Sequence, residues 1–406
     1  MNMPVNRANK SILVLMAVFL NQSSVILGVN LSAADLFFAL TLFLLLINDR
    51  FKIPRYAVLF FLTLTIFLFY TSLNHVPRQF LYYPSPGSVI SNYIKLLVVF
   101  LYFAVGCNLS DEENKIIVKW YSRAAAVIGV FGSLLAVTRI NVLSSALLYG
   151  GLRLRGFMND PNYFSIIQNS AIAYYSRLKN MKQAVSASIV AALAFSILAS
   201  GSKTGIITLL GYIIYRVVEA HFKIRFTLKA LIAYILLLIY AFVIILPLAD
   251  IFSFMLGSLS DRLLPFSRIK LLFTDFESAV SGVESNRELT WEVALGLIEQ
   301  SPVLGIGVGT YSGLAKKLYN TPLIAHNTYL QLLSEWGIIL AVTLFIYLFF
   351  IIGRVIFNNS KYRGTTIILK DMLLIFMIGS MAISFNNARM FWLFFGMLAN
   401  CTHSLY

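Results

Sequence analysis

The sequence predicts an all-α polytopic membrane protein of about twelve transmembrane helices, with a large loop between the ninth and the tenth. Three observations carry that reading. The 406 residues are 59% hydrophobic and only 12% charged, whereas a soluble domain is about 45–50% apolar and about 25% charged. Apolar runs of about 20 residues, the length that crosses a bilayer as a helix, recur along the chain. Lysine and arginine concentrate in every second connection. Together these weigh against a soluble enzyme, a disordered protein and a nucleic-acid-binding module.

Twelve candidate spans lie near 11–29, 33–47, 56–73, 91–108, 116–137, 162–176, 183–199, 203–218, 228–247, 326–352, 366–384 and 388–404. The second is short, and the first carries Asn21-Gln22-Ser23-Ser24 in its middle. The apolar run after Arg7 and Lys10 leads straight into further membrane segments, which is not the pattern of a cleavable signal peptide. Cys107 and Cys401 sit in or beside apolar runs and imply neither a disulfide framework nor a CxxC metal site.

Orientation follows from the basic residues. With the N-terminus inside, the cytoplasmic segments hold 19 of the 32 lysines and arginines, and every cytoplasmic connection is short and basic. Both termini are then cytoplasmic. The net charge of +15 divides as +13 on the cytoplasmic side, +3 outside and −1 from Glu335 within the membrane. The basicity is therefore mostly a topology signal and does not by itself point to a polyanionic partner.

Three outer connections are long: 74–90, 138–161 and 248–325. The last divides the chain into spans one to nine (1–247), a large outer loop (248–325) and spans ten to twelve (326–406). Within that loop, 286–300 (NRELTWEVALGLIEQ) has Leu289, Val293 and Leu297, and Leu289, Trp291, Leu295 and Ile298, at near-helical spacing. It reads as a half-buried helix lying over the membrane domain. Ser301-Pro302 stops it, and Gly305, Gly307 and Gly309 read as a flexible turn. No internal repeat is visible, which weighs weakly against a transporter built from inverted repeats.

Ionisable groups at membrane depth are costly and are functional candidates by default. Lys95 lies about a turn inside the outer surface, Lys203 opens a span at its outer end, and Arg389 begins the last span. Arg153 and Arg155 lie just outside, and Glu335 lies within the tenth span. The bases come from different spans but share the outer boundary. Converged, they would form a cationic pocket suited to a lipid-linked phosphate or diphosphate, since arginine grips phosphate oxygens in bidentate fashion and lysine acts as a point charge. Each also has a plain structural reading. Lys95 can snorkel, Arg389 can anchor at the interface, and Glu335 can join a polar network. Lys203 at a helix start opposes the helix dipole, which makes a purely structural role less comfortable. His326 begins the tenth span on the same side, followed by Asn327. Glu335, nine residues on, lies half a turn away and about 13 Å along the axis, so the two are not direct partners on a straight helix. No ligand spacing supports a zinc site.

The stretches RLRGFMNDPNYFS (153–165), SGSKTG (200–205), NRELTWEVALGLIEQSPVLGIGVGTY (286–311) and AHNTYLQLLSEWGII (325–339) occur in an order that resembles the O-antigen ligase and polymerase superfamily of bacterial membrane enzymes. The resemblance runs over nearly the whole chain and implies a GT-C-like fold. It implies a metal-independent, inverting glycosyltransferase without cofactor in the bacterial inner membrane, working at the periplasmic face on a glycan carried by undecaprenyl diphosphate. Matched position by position, Arg287 falls on the loop arginine that contacts the diphosphate. His326 falls on the histidine proposed to assist the acceptor hydroxyl, Lys203 on a place where many members have arginine, and Arg155 on the arginine before the DPN-type turn. Arg153, Asp160, Asn162, Lys95, Asn327, Tyr329, Glu335 and Arg389 complete the candidate contacts to diphosphate or sugar. The partners implied are the lipid-linked oligosaccharide, an acceptor glycan and a chain-length regulator, with no nucleic acid. The DPNY-type loop favours a polymerase of lipid-linked repeat units. The alternatives are a ligase that moves the glycan to lipid A-core and, in a different class, a transporter of the lipid-linked saccharide.

Overall fold

The computed structural model describes residues 7–23, 31–138, 140, 143–222, 265, 268–270, 287–358, 362 and 364–403, with the side chains of His221, Phe222 and His403 left aside. Over these residues the protein is helical apart from one two-stranded hairpin. In chain order the elements are α1 (Arg7–Phe19), α2 (Ala33–Ile47), α3 (Arg55–Tyr70), a π-turn (Thr71–His75), α4 (Val76–Phe80), α5 (Pro86–Gly106), α6 (Asp111–Thr138), α7 (Ser144–Leu147), β1 (Leu148–Tyr149), β2 (Arg153–Leu154), α8 (Pro161–Arg177), α9 (Gln183–Ala199), α10 (Lys203–Phe222), α11 (Arg287–Gln300), α12 (Tyr311–Tyr319), α13 (Thr328–Phe357), α14 (Thr365–Gly379) and α15 (Arg389–His403).

A helix overlies each span expected from the sequence except 228–247, which lies outside the described residues. Among the described residues, four segments are long and apolar enough to cross a membrane: Arg55–Phe80, Pro86–Gly106, Asp111–Thr138 and Thr328–Phe357. The architecture is that of an all-α membrane protein. Two boundaries differ from expectation for local reasons. The first helix ends at Phe19 because the Asn21 amide turns back onto the Val18 carbonyl at 3.3 Å and reaches the Tyr121 carbonyl at 3.1 Å. The third continues past residue 73 because a π-turn carries it into α4.

The chain divides into two units. The first comprises Met1–Ala124, Arg177–Lys179 and Ser285–Tyr406, and the second Ala125–Ser176 and Asn180–Glu284. In the first, α5 and α15 approach so closely that a Cβ on Gly396 would collide with the Phe103 carbonyl. Small residues permit this kind of packing where lipid supplies no hydrophobic drive between helices. The Asp371 carboxylate is fully buried and takes Arg177 Nε at 2.6 Å and Lys370 Nζ at 3.0 Å. At the start of α2, Ser32 and Asp35 form a capping box, and Asp35 also accepts from Tyr102 Oη at 3.0 Å and from Arg389 Nε at 2.5 Å.

α11 buries Thr290, Val293, Ala294 and Leu297, whereas Leu289 and Leu295 are exposed. The buried face thus holds Val293 and Leu297 of one of the two apolar sets, but not Leu289. It packs into a cluster with Val76, Phe80, Ile306, Tyr311 and Leu314. Apart from Ile306 in the loop, these hydrophobic partners come from α4 and α12, elements too short to stand out as apolar runs.

In the second unit, β1 and β2 pair antiparallel with Leu148 opposite Leu154 and Tyr149 opposite Arg153. α8 is buried along nearly its whole length, which leaves its polar residues to be satisfied from neighbouring helices.

Candidate functional site

In the first unit the site is built around a break in α13. Gly337 has φ 74 and ψ 165 in the middle of that helix. Such a break frees backbone groups that lipid cannot satisfy. Here a loop satisfies them. The Ile306 amide donates to Ser334 O at 2.8 Å, the Gly307 amide to Glu335 O at 2.9 Å, and the Ile338 amide to Pro302 O at 2.8 Å. The approach is tight enough that a Cβ on Gly337 would overlap the Val303 carbonyl and one on Gly305 would overlap Gly337 N. The loop's own carbonyls are taken by side chains. Thr71 Oγ1 donates to Leu304 O at 3.3 Å, Ser72 Oγ to Val308 O at 3.1 Å and Ser88 Oγ to Gly309 O at 2.7 Å. His75 Nε2 bonds Ser301 Oγ at 2.9 Å. The glycines that read as a flexible turn are therefore part of a segment at positive φ that hydrogen bonds dock onto the break.

One turn above the break the polar residues of α13 line up. Asn327, Gln331 and Glu335 recur every four residues, so they share a face. Asn327 caps the helix, its Oδ1 accepting from the Tyr329 and Leu330 amides at 3.0 and 3.2 Å. Gln331, 3% exposed, donates from Nε2 to Glu335 Oε1 at 2.5 Å and accepts the Ala325 amide on Oε1 at 3.1 Å. Gln331 is the buried polar residue of this face that sequence reasoning passed over. Its signal was available as a polar residue between Asn327 and Glu335 at i+4 spacing. It links Glu335 to the backbone amide of Ala325, the residue before His326.

His326 follows Ala325 with φ 47. A non-glycine residue there costs about 1–3 kcal/mol and persists only where its surroundings over-determine it. Its neighbours provide that. Ala325 and Asn327 are buried while the His326 residue itself is exposed. Thr328 is tied through its amide to Ser380 O at 2.8 Å and through Oγ1 to Ile383 O at 2.7 Å. Thr290 Oγ1 donates to Arg287 O at 2.9 Å, with Ala325 O at 3.4 Å. The first residue of α11, Arg287, and the residue before His326 are thereby tied to the same buried hydroxyl.

Lys95 on α5 is half-buried, reaches Asn92 Oδ1 at 3.5 Å, and is close enough to interact electrostatically with the Glu335 carboxyl. Tyr311 joins them. Burial, then the charge of Glu335 and of Tyr319, push its phenol well up, so it stays protonated at neutral pH. Its hydroxyl has no hydrogen-bond partner among the described residues. Along the same α5 and α13, and against α3 and α15, lies an apolar cavity of about 250 Å³ lined by residues including Phe61, Leu96, Phe100, Trp336, Tyr347 and Trp392. Of the remaining candidates in this unit, Tyr329 donates to Met377 O at 2.9 Å and Arg389 is paired with Asp35. Both have clear structural tasks.

The second unit holds the other candidates. Arg153 Nε donates to Ser200 O at 2.9 Å, pinning the step between α9 and α10, and an Arg155 guanidinium nitrogen donates to Ser145 O at 2.9 Å. Asp160 Oδ1 accepts the Asn162 and Tyr163 amides at 2.7 and 3.2 Å and so caps α8. Asn162 Oδ1 accepts from Ser202 Oγ at 2.9 Å, and Ser202 meets Ser165 Oγ at 2.9 Å. Lys203 is half-buried at the first position of α10.

Residues 188–346 match the family model described as O-Antigen ligase. That stretch is similar to the O-antigen ligase family, in agreement with the resemblance read from the sequence. The match takes in Lys203, Arg287, His326, Gln331 and Glu335, while Lys95, Arg153, Arg155, Asp160, Asn162 and Arg389 lie outside it. No curated protein matches the chain. Similarity to the O-antigen ligase family in an integral membrane protein supports a polymerase- or ligase-type function in O-antigen biosynthesis.

Proposed function

We propose that the protein is a polymerase of lipid-linked repeat units, transferring glycan from undecaprenyl diphosphate to an acceptor sugar hydroxyl at the periplasmic face of the inner membrane. The observation that carries this reading is the exposed His326 on its left-handed turn, tied through Ala325 and Thr290 to the head of the Arg287 helix. A neutral imidazole, with an unperturbed pKa of about 6.5, suits proton removal near pH 7. In the proposed step the acceptor oxygen bonds to the anomeric carbon as the bond from that carbon to the phosphate oxygen breaks. The hydroxyl proton passes to His326, and the electron pair leaves with the diphosphate. Arg287 and Lys95 offset the developing charge. Attack opposite the leaving group inverts the anomeric centre, and no metal is needed. The apolar cavity beside Trp336 suits the hydrocarbon chain of such a donor.

A ligase is the second reading, favoured by the description of the matching family. A deletion strain separates the two. Lipopolysaccharide carrying a single repeat supports the polymerase. Accumulated lipid-linked polymer with a bare core supports the ligase. In that strain Arg287→Ala and His326→Ala should each fail to restore long-chain product at normal protein level, and restoration by both sinks the assignment.

A further inference from the structure

The hydrogen bonds around α13 give Gln331 a task that no charge argument suggested. A glutamine amide presents an acceptor and a donor on opposite sides, and its orientation is set by its partners. The Ala325 amide can only donate, so it takes the Gln331 Oε1 side and turns Nε2 towards Glu335 Oε1. The Ala325 amide needs that acceptor, because residue 325 is buried outside the helix and no backbone carbonyl serves it in the described structure. With its amide held by Gln331 and its carbonyl within reach of Thr290 Oγ1, the Ala325 peptide fixes where the chain enters the left-handed turn at His326.

We propose that Gln331 is a positioning residue for His326, and that Glu335 acts through Gln331 rather than on the substrate. The chain of contacts runs Glu335, Gln331, Ala325, His326, and each link is one hydrogen bond or one peptide. Losing the Gln331 acceptor leaves a buried amide unpaired, which the turn relieves by relaxing towards ordinary φ. The imidazole then leaves its place while the groups that bind the donor stay. A displacement of about 1 Å at a reacting group can cost on the order of 100-fold in rate.

This proposal rests on the assignment of His326 to the acceptor proton, and its test keeps the two apart. The full chain is reconstituted in nanodiscs, with undecaprenyl-diphosphate-linked oligosaccharide as substrate. Gln331→Leu and Glu335→Leu should each lower kcat about 10- to 100-fold, leave KM for the donor within about twofold, and leave protein yield unchanged. Glu335→Gln should recover most of the activity, because a glutamine oxygen still accepts from Gln331 Nε2. A Glu335→Gln loss as deep as that of Glu335→Leu overturns the proposal, since it would show that the carboxylate charge itself is used. With ¹³C/¹⁵N-labelled histidine, the His326 resonance, identified by its disappearance in His326→Ala, should shift in Gln331→Leu while His75 does not. An unmoved His326 resonance overturns the role of Gln331 whatever the activity. Full turnover by His326→Ala overturns the function on which the proposal rests.

Discussion

Buried polar groups are handled in two ways in this protein. At the break in α13 the exposed backbone of a membrane helix is answered group by group. Loop amides meet the Ser334 and Glu335 carbonyls, Pro302 O meets the Ile338 amide, and Thr71, Ser72 and Ser88 close the loop's own carbonyls. Between α8 and α10 in the second unit the groups are side chains, and the pairing is incomplete. Asn169 Nδ2 donates to Ser165 O at 3.0 Å and Gly205 O at 2.9 Å, but Asn169 Oδ1, Gln168 Nε2 and Thr208 Oγ1 have no partner among the described residues. Backbone carbonyls cannot be deleted by sequence change, and an amide only by proline, so a break in a membrane helix needs partners for the groups it frees. Side-chain groups are optional, and each can be removed at modest cost if it is not paired.

The largest effect is therefore expected at the break. Gly337→Val puts a Cβ against the Val303 carbonyl and forces a branched residue to φ 74. Destabilisation of about 3–5 kcal/mol is expected, seen as loss of monodisperse protein and a collapsed Tm in detergent. Wild-type melting would show that the loop does not dock on the helix. A smaller effect is expected for Asn169→Leu. It gives up two hydrogen bonds but also removes an unpaired buried oxygen, for a net loss of about 1–2 kcal/mol in denaturant melts. The smallest is expected for Thr208→Val. With Thr208 1% exposed and its hydroxyl without a partner among the described residues, removal of that hydroxyl should change stability by less than about 0.5 kcal/mol in either direction. A loss above about 1.5 kcal/mol would reveal a buried water or another partner and erase the contrast between the two regions.

Much of the helical framework was legible because length and apolarity alone specify a membrane helix. α2 and α9 fall on the residues that hydropathy marks, and α10 opens at Lys203 as expected. The candidate site was legible where chemistry is carried by rare residues. Arg287 and His326 stand out in an apolar sequence, and both head structured elements. What could not be read depends on partners distant in sequence. Gly305, Gly307 and Gly309 look flexible until the α13 break is seen to dock on them. Gly337 looks like one more small residue in an apolar run, because glycine is common in membrane helices. Arg389 looked like a cation awaiting a ligand because its partner, Asp35, is 354 residues away. Arg153 and Asp160 carry charges that the structure uses on backbone groups, at the step between α9 and α10 and at the start of α8. The sequence offered two apolar sets on α11, and spacing alone does not say which face has a partner: Val293 and Leu297 are buried, Leu289 and Leu295 exposed.

Turnover by the purified chain tests the account most directly. Reconstituted wild-type protein given undecaprenyl-diphosphate-linked repeat units should release undecaprenyl diphosphate and lengthen the glycan without added divalent metal. His326→Ala should bind the same donor and release none. Release at the wild-type rate by His326→Ala would contradict the account.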